Sequence, residues 1–272
     1  MTDPNARFVG SIPENYDRFL GPVLFEPYAR DLARRVPAEE GTRLLEVACG
    51  TGIVTRHLRE RLPARARFVA TDLNPPMIEY ARRKLDGVEG IDWRPADACE
   101  LPFPDGSFDV LVCQFGLMFV PDKEKALREA RRVLAPGGTF LFSVWDSLDR
   151  NTFAKKAHET IAGFFPDNPP TFYQVPFSLH DTDALRKMLA VAGFADVRVE
   201  PVAFQGESPS AGDLARGLVE GNPVGNLIRE RGDIDMAAVL EAVRRVVARE
   251  FGDRPVRIPL HAFVLTARSA LS

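Results

Sequence analysis

Three carboxylates and a glycine turn are the residues of this chain whose types and spacing could do chemistry. Glu46 ends an apolar run that leads into the turn 49–52, and Asp72 and Asp97 end or follow the next two runs. Glycine lets a backbone bend sharply and lie close to a ligand, and a helix that follows points free N–H groups into the turn. The pattern predicts a nucleotide-type pocket at the carboxyl ends of parallel strands.

The spacing bears on which nucleotide the pocket holds. A carboxylate at Asp72 can accept both hydroxyls of a ribose, but enzymes that bind NAD use the same device. The glycine pattern is Gly50-x-Gly52-x-x-Thr55, so the third glycine of a dinucleotide fingerprint is absent. Three acids suit a pyrophosphate badly. They suit a ligand with a ribose, an amine and a positive charge, and S-adenosylmethionine has all three.

The elements that position these residues follow a regular rhythm up to residue 145. We predict strands at 43–48, 67–71, 91–94, 108–114 and 139–145, with helices at 53–62, 74–85 and 122–134 between them. This alternation requires right-handed crossovers and a parallel sheet. After residue 145 we predict helices at 152–164 and 182–192, a strand at 197–204, about fifty mainly helical residues and a last strand at 260–267.

The N-terminal region offers weaker signals. Residues 1–14 are polar and predict a loop, and apolar spacing from Tyr16 to Val36 predicts helix. Pro22 and Pro27 are expected to divide that helix into two short ones, because an internal proline removes a helical hydrogen bond.

The sequence resembles the class I S-adenosylmethionine-dependent methyltransferases, in particular the methyltransferase type 11 branch with the quinone-biosynthesis enzymes. The resemblance covers about residues 40–146, with several motifs in the right order and at the right distances. These motifs are Leu45-Glu46-Val47-Ala48-Cys49-Gly50-Thr51-Gly52, Ala70-Thr71-Asp72-Leu73-Asn74, Asp97-Ala98, the segment 101–109 and the segment 129–138.

The resemblance implies an α/β, Rossmann-like fold: a mostly parallel seven-stranded sheet with helices on both faces and the last strand antiparallel. Helical cap insertions are a departure from the family, because residues 205–258 separate two strands that the family joins as a hairpin. We expect one compact unit in which 1–40 form an N-terminal helical flap, or a packed outer helix, and 41–146 the cofactor-binding core. Residues 147–180 are then a cap insertion, 181–204 continue the core, 205–258 are a helical insertion and 259–272 are the last core strand.

The resemblance also implies which residues hold S-adenosylmethionine. The turn from Glu46 to Gly52 would lie along the methionine and ribose, with the backbone around Ala48 and Gly50 near the amino group. Asp72 would hold the ribose hydroxyls.

On the adenine side, the resemblance implies that Leu73 and Met77 pack on the ring. Asp97 would accept a hydrogen bond from the adenine amino group, and the N–H of Ala98 would donate to the ring.

Fewer residues of the sequence indicate where the methyl acceptor binds. By the resemblance, Gln114 and Phe115 border the methionine amine and the methyl-transfer face. An aromatic cluster suits an apolar or aromatic acceptor, although a buried satellite core explains it equally well; it comprises Phe164, Phe165, Phe172, Tyr173 and Phe177. Among the four histidines, His180 is the candidate general base, because it precedes a helix at the expected edge of the site. Tyr16 and Tyr28 either close on the cofactor or only pack.

Composition and charge indicate which classes of binding partner to expect. The net charge of −3 and arginines that read as solvated helix faces argue against nucleic acid. Cys49, Cys99 and Cys113 match no metal-ligand spacing, so we expect no metal site. No run is long and apolar enough for a membrane helix, and residues 1–5 carry no signal-peptide pattern, so we expect a cytoplasmic protein without membrane contact. A homodimer is left open.

Together these observations predict a methyltransferase that moves a methyl group from S-adenosylmethionine to a small molecule by in-line displacement. The alternatives are an NAD(P)-dependent oxidoreductase and a non-catalytic S-adenosylmethionine-binding protein.

Overall fold

Seven strands form one sheet in a computed structural model that describes residues 4–270, and their spatial order is β3-β2-β1-β4-β5-β7-β6. Strands β1 to β5 pair in parallel, and β7 runs antiparallel to both β5 and β6. The predicted fold class is confirmed. The strands are β1 Arg43–Val47, β2 Arg67–Asp72, β3 Asp92–Pro95, β4 Phe108–Gln114, β5 Leu134–Trp145, β6 Phe194–Ser208 and β7 Val256–Ser269.

The crossover helices of the parallel half are α3 Ile53–Arg61, α4 Pro75–Lys84 and α5 Lys123–Val133. Asp122 caps α5 as its sequence position predicts, because its side chain accepts from the Lys125 N–H at 2.9 Å. Asn74 precedes α4, but its side chain makes no cap hydrogen bond. Its backbone and side-chain N–H groups both donate to Asp72 Oδ1 instead, so Asn74 orients a carboxylate of the predicted site.

The N-terminal region is one continuous helical run, which corrects the expectation of two short helices. It consists of α1 Ile12–Asn15, a π-helical segment Tyr16–Phe25 and α2 Glu26–Arg35. The Glu26 N–H donates to the Gly21 carbonyl, five residues back, and Pro22 lies inside the wider turns. The π-helical turns therefore carry the chain past Pro22 without a break, and such turns are frequent at functional sites. Part of the predicted loop 1–14 is also helical, since α1 begins at Ile12.

The second half adds five helices: α6 Thr152–Ala162, α7 Thr182–Val191, α8 Ala211–Glu220, α9 Val224–Arg231 and α10 Met236–Phe251. Helix α8 packs directly on the π-helical segment, because a Cβ at Gly217 would lie 2.5 Å from the Leu20 side chain.

The last two strands are longer than the apolar pattern indicates. Strand β6 pairs with β7 from Phe194–Ser269 to Ser208–Val256, beyond the predicted strands 197–204 and 260–267. Pro201 and Pro259 obscure the alternation in the sequence, although both lie within the paired strands.

The division into a flap, core and insertions remains a prediction, and residues 1–3 and 271–272 of its terminal segments lie outside the described part. Within residues 4–270, no helix is both long enough and apolar enough to cross a membrane.

Candidate functional site

A cavity of about 780 Å³ opens at the carboxyl ends of β1, β2 and β4, and we call it the strand-end cavity. It brings together most of the predicted cofactor residues: Ala48, Gly50, Asp72, Leu73, Met77, Asp97, Ala98, Gln114 and Phe115. Their common position is the end of a parallel strand or the loop directly after it, where open α/β sheets bind ligands.

The backbone of the site adopts conformations that most residues avoid. Ala48 and Phe115, which follow β1 and β4, have positive φ angles of 57° and 51°. Gly50 has a φ of 55° and nothing within 4 Å of the position of a Cβ, so it lines the cavity with bare backbone. Positive φ at non-glycine residues is costly and clusters at functional sites, which supports a ligand at these two strand ends.

Asp72 is anchored within the cavity wall. Its Oδ2 accepts from the Gly50 N–H at 2.9 Å, and its Oδ1 accepts from the Asn74 N–H at 2.8 Å. Burial raises the pKa of the Asp72 carboxyl, and the hydrogen bonds from Asn74 and Gly50 oppose that rise. The carboxylate is therefore held in one orientation, and because Oδ1 already accepts twice from Asn74, Oδ2 is the oxygen left for a ligand.

Glu46 lies next to the cavity and not on its wall. It is buried, and its Oε2 accepts no hydrogen bond from any residue that the structure describes. Burial raises the pKa of Glu46 to about 8, although the Thr55 hydroxyl beside the carboxyl opposes that rise. A buried carboxyl oxygen without a partner is costly, so this position is suited to a donor that arrives with a ligand.

Gln114 and Phe115 end β4 side by side. Gln114 Nε2 donates to the Phe25 carbonyl at 3.2 Å, while its buried Oε1 accepts no hydrogen bond from the residues described. The Phe115 ring stacks on Trp145, with ring centroids 4.0 Å apart. These contacts fix Phe115 at the boundary that the strand-end cavity shares with a second cavity beside it.

The second cavity, the aromatic cavity, has a volume of about 530 Å³. It shares Phe8, Tyr16, Phe115 and Phe119 with the strand-end cavity. Of the predicted aromatic cluster, Phe172, Tyr173 and Phe177 line this cavity, whereas Phe165 lies under the Arg231 guanidinium outside its wall. The shared wall places an apolar chamber directly beside the predicted cofactor pocket.

Two further predicted site residues lie away from the cavities. Gly52 packs on α4, where a Cβ would lie 3.1 Å from the Ala81 and Leu85 side chains. His180 is exposed, its ring Nδ1 lies 2.9 Å from the Phe177 carbonyl oxygen, and it lines neither cavity. The structure therefore does not bring the candidate base to the site.

Tyr16 is the residue that the sequence left most open, and it lines both cavities. Its ring stacks on Phe25 at 4.6 Å and meets Phe8 edge to face at 5.9 Å. Burial raises the pKa of the Tyr16 phenol, and Asp17 and Asp72 add to the rise, so the phenol stays neutral. Tyr28 only packs, because its hydroxyl donates to the Val202 carbonyl and its ring lies against Phe115.

Sequence reasoning missed Phe8 and Asn222, which line the aromatic cavity from opposite ends of the chain. Phe8 stands in the segment predicted as a polar loop, where one apolar residue carries little signal. Within residues 4–270, no group of three His, Cys, Asp or Glu side chains is placed to hold a metal ion.

Comparison with known proteins identifies the family to which this fold and site belong. Residues 45–142 match the family described as a methyltransferase domain. A demethylmenaquinone methyltransferase from Thermus thermophilus is 36% identical over 183 residues, which cover 63% of this chain and 82% of that protein.

A demethylmenaquinone methyltransferase from Staphylococcus aureus is 30% identical over 210 residues, covering 71% of this chain and 86% of that protein. Among solved structures, a phosphoethanolamine N-methyltransferase of Haemonchus contortus, in complex with S-adenosylhomocysteine, superimposes with a TM-score of 0.60 and 16% identity. That superposition covers 95% of this chain and 57% of the other.

Proposed function

The chain belongs to the class I S-adenosylmethionine-dependent methyltransferases, and from this premise we propose that its methyl acceptor is an aromatic small molecule bound in the aromatic cavity. The observation that carries the proposal is the wall of four aromatic residues that this cavity shares with the strand-end cavity: Phe8, Tyr16, Phe115 and Phe119. Family membership sets aside both the nicotinamide-dependent and the non-catalytic alternatives.

The residues of the strand-end cavity fit S-adenosylmethionine. Asp72 offers an anchored carboxylate for the ribose hydroxyls, and the positive-φ turn at Ala48 and Gly50 leaves room for close backbone approach. Gln114 lines the cavity, and its buried, unpartnered oxygen is suited to a donor of an ammonium group. We assign the methionine end of the ligand to this side of the cavity.

The adenine end fits the other side. Met77 is buried and Leu73 is exposed, and together with Ala98 they form an apolar slot. Asp97 Oδ1 accepts from the Cys99 N–H at 2.8 Å, which holds this exposed carboxylate beside the slot. We assign Asp97 and the Ala98 N–H to the polar edge of the base.

When bound, S-adenosylmethionine supplies a methyl group on a positively charged sulfur. An in-line displacement would transfer that methyl group to the acceptor atom, leave the electron pair of the broken bond on sulfur, and require the acceptor to lose a proton. The chain's part is positioning, which can supply much of the reduction of the barrier. Phe115 and Tyr16 would hold the acceptor against the methyl face, and the aromatic wall would exclude water.

The lining of the aromatic cavity also decides whether a side chain can take a proton from the acceptor. The titratable side chains of the aromatic cavity, within the described residues, are Tyr16 and Tyr173. Burial raises the pKa of both phenols, so neither is a good base near neutral pH. We therefore propose an acceptor whose attacking atom is already electron-rich, as in an enol or an activated aromatic ring.

Two relatives are named for demethylmenaquinone, which supports a ring-containing, apolar acceptor. The test is turnover of S-adenosylmethionine labelled in its methyl group with a panel of naphthoquinols, catechols, amines and short peptides. We expect label to enter the naphthoquinol class. Transfer to amines or peptides, with none to aromatic acceptors, would contradict the proposal.

A further inference from the structure

The side-chain amide of Asn222 lines the aromatic cavity. Asn222 follows α8, within the helices between β6 and β7, and its exposed fraction is 7%. Among the described residues that line the cavity, its neighbours are aromatic or aliphatic, apart from the phenol, indole and backbone groups. A buried amide in an apolar chamber must satisfy its oxygen as well as its nitrogen.

The hydrogen bonds fix which way the amide points. Asn222 Nδ2 donates to the Leu218 carbonyl at 3.0 Å and faces the Gly217 carbonyl at 3.5 Å. Both partners are oxygens, so the nitrogen must be the atom turned toward α8. Both contacts use the nitrogen, so the Asn222 oxygen is the polar atom left to face the cavity that this residue lines.

Tyr173, which also lines the cavity, likewise directs its hydrogen away from a ligand. Its hydroxyl donates to the same Leu218 carbonyl at 2.6 Å, so its single hydrogen is also used. The two side chains lie next to each other and hydrogen-bond, so the Asn222 oxygen is the acceptor that this pair leaves for a ligand. This end of the aromatic cavity is built to receive a hydrogen-bond donor.

We propose that Asn222 is a specificity-determining residue, and that the methyl acceptor donates a hydroxyl to its Oδ1 at the end of the ring system away from the methyl group. This inference rests on the proposed function, since it requires an aromatic acceptor in this cavity. Without the hydroxyl, a bound ring would leave Oδ1 buried and unpaired, which lowers affinity by about tenfold.

The experiment uses the full chain saturated with S-adenosylhomocysteine and three probes: 2-naphthol, 2-methoxynaphthalene and naphthalene. Isothermal titration calorimetry gives the dissociation constant of each. We expect 2-naphthol to bind about tenfold more tightly than the other two. In Asn222→Ala the preference should fall to near one while naphthalene affinity is retained.

The matched control is Asn226→Ala, which removes an asparagine of α9 whose Oδ1 accepts from Arg229 and which does not line the cavity. This variant should keep the preference for 2-naphthol. Equal binding of the three probes to the wild-type protein overturns the role of Asn222 and leaves the aromatic acceptor standing, and that comparison needs no variant to fold. A preference that survives Asn222→Ala means that Asn222 only caps α8. Failure of all three probes to bind overturns the proposed function itself.

Discussion

Thr51 donates its hydroxyl to Asp17 at 2.8 Å, which joins the glycine turn after β1 to the π-helical segment above it. Asp17 also accepts from the Tyr80 hydroxyl at 3.3 Å and pairs with the Lys84 ammonium, both on α4. Its side chain is only 14% exposed. Tyr16 directly precedes Asp17, so these bonds also hold in place one of the four residues that line both cavities.

We expect Asp17→Ala to release S-adenosylhomocysteine faster, because the segment that covers the ligand loses its attachment to the glycine turn and to α4. The dissociation rate should rise by about fivefold to tenfold, measured by stopped-flow displacement. Asp31→Ala is the control, since Asp31 pairs with Arg35 in the same helical run but away from the cavities. Equal rates in the two variants would argue that the segment is held by its apolar contacts alone.

Asp72 gives a second prediction about the ligand. In Asp72→Asn one oxygen can still accept from Gly50 or Asn74, but the charge that favours ribose hydroxyls is lost. We expect the affinity for S-adenosylhomocysteine to fall by about a hundredfold, of the order of two charge-assisted hydrogen bonds. Calorimetric titration measures it, with Asp86→Asn, an exposed residue just after α4, as the control. Near-normal affinity in Asp72→Asn would contradict the ribose assignment.

Much of the strand-end cavity could be predicted because its signals are local. The acids at 72 and 97 and the glycine at 50 each end or follow an apolar run, and parallel pairing brings such ends to one edge. The positive φ of Ala48 and Phe115 could not be predicted, because neither residue type favours that conformation. It follows from how β1 and β4 end against each other.

The aromatic cavity was less predictable for a different reason. Phe8, Phe172 and Asn222 meet there from segments separated by more than a hundred residues or by a whole insertion. Their contact depends on α8 packing on the π-helical segment, and short-range periodicity does not describe such packing. Position in the chain also predicted His180 at the site, but its place depends on the packing of distant segments, and it lines neither cavity.

Glu46 gives a prediction about pH. Its pKa is raised from 4.5 to about 8 in the folded chain, mainly by burial. Between those values the folded state holds a proton that the unfolded state has released, so rising pH lowers the free energy of unfolding. Glu46→Gln cannot ionise, and its stability relative to the wild-type protein should therefore increase from pH 5 to pH 9.

The size of this change is on the order of a few kcal/mol at most. Urea unfolding of both proteins without ligand at pH 5 and pH 9 measures it, and the wild-type protein is the internal reference at each pH. If the stability difference between Glu46→Gln and wild type were the same at both pH values, the carboxyl would be titrating normally in the folded state.

The last prediction concerns the contact between the loop after β1, at Ala48, and the loop after β4, at Gly116. A Cβ added at Gly116 would overlap Ala48 Cβ and lie 2.9 Å from Cys113 Sγ, so the two strand ends touch here without room for a methyl group. Gly116→Ala should therefore destabilise the chain by about 1–3 kcal/mol and weaken S-adenosylhomocysteine binding, since both loops line the strand-end cavity.

The double variant Ala48→Gly with Gly116→Ala tests that reason. Removal of the Ala48 Cβ takes away the closest contact, and glycine tolerates the positive φ at position 48. We expect the double variant to recover part of the lost stability, measured as a coupling free energy from urea unfolding of the four proteins in the cycle. Additive losses would mean that the cost of Gly116→Ala comes from Cys113 or from the backbone at 116, and not from the contact between the two loops.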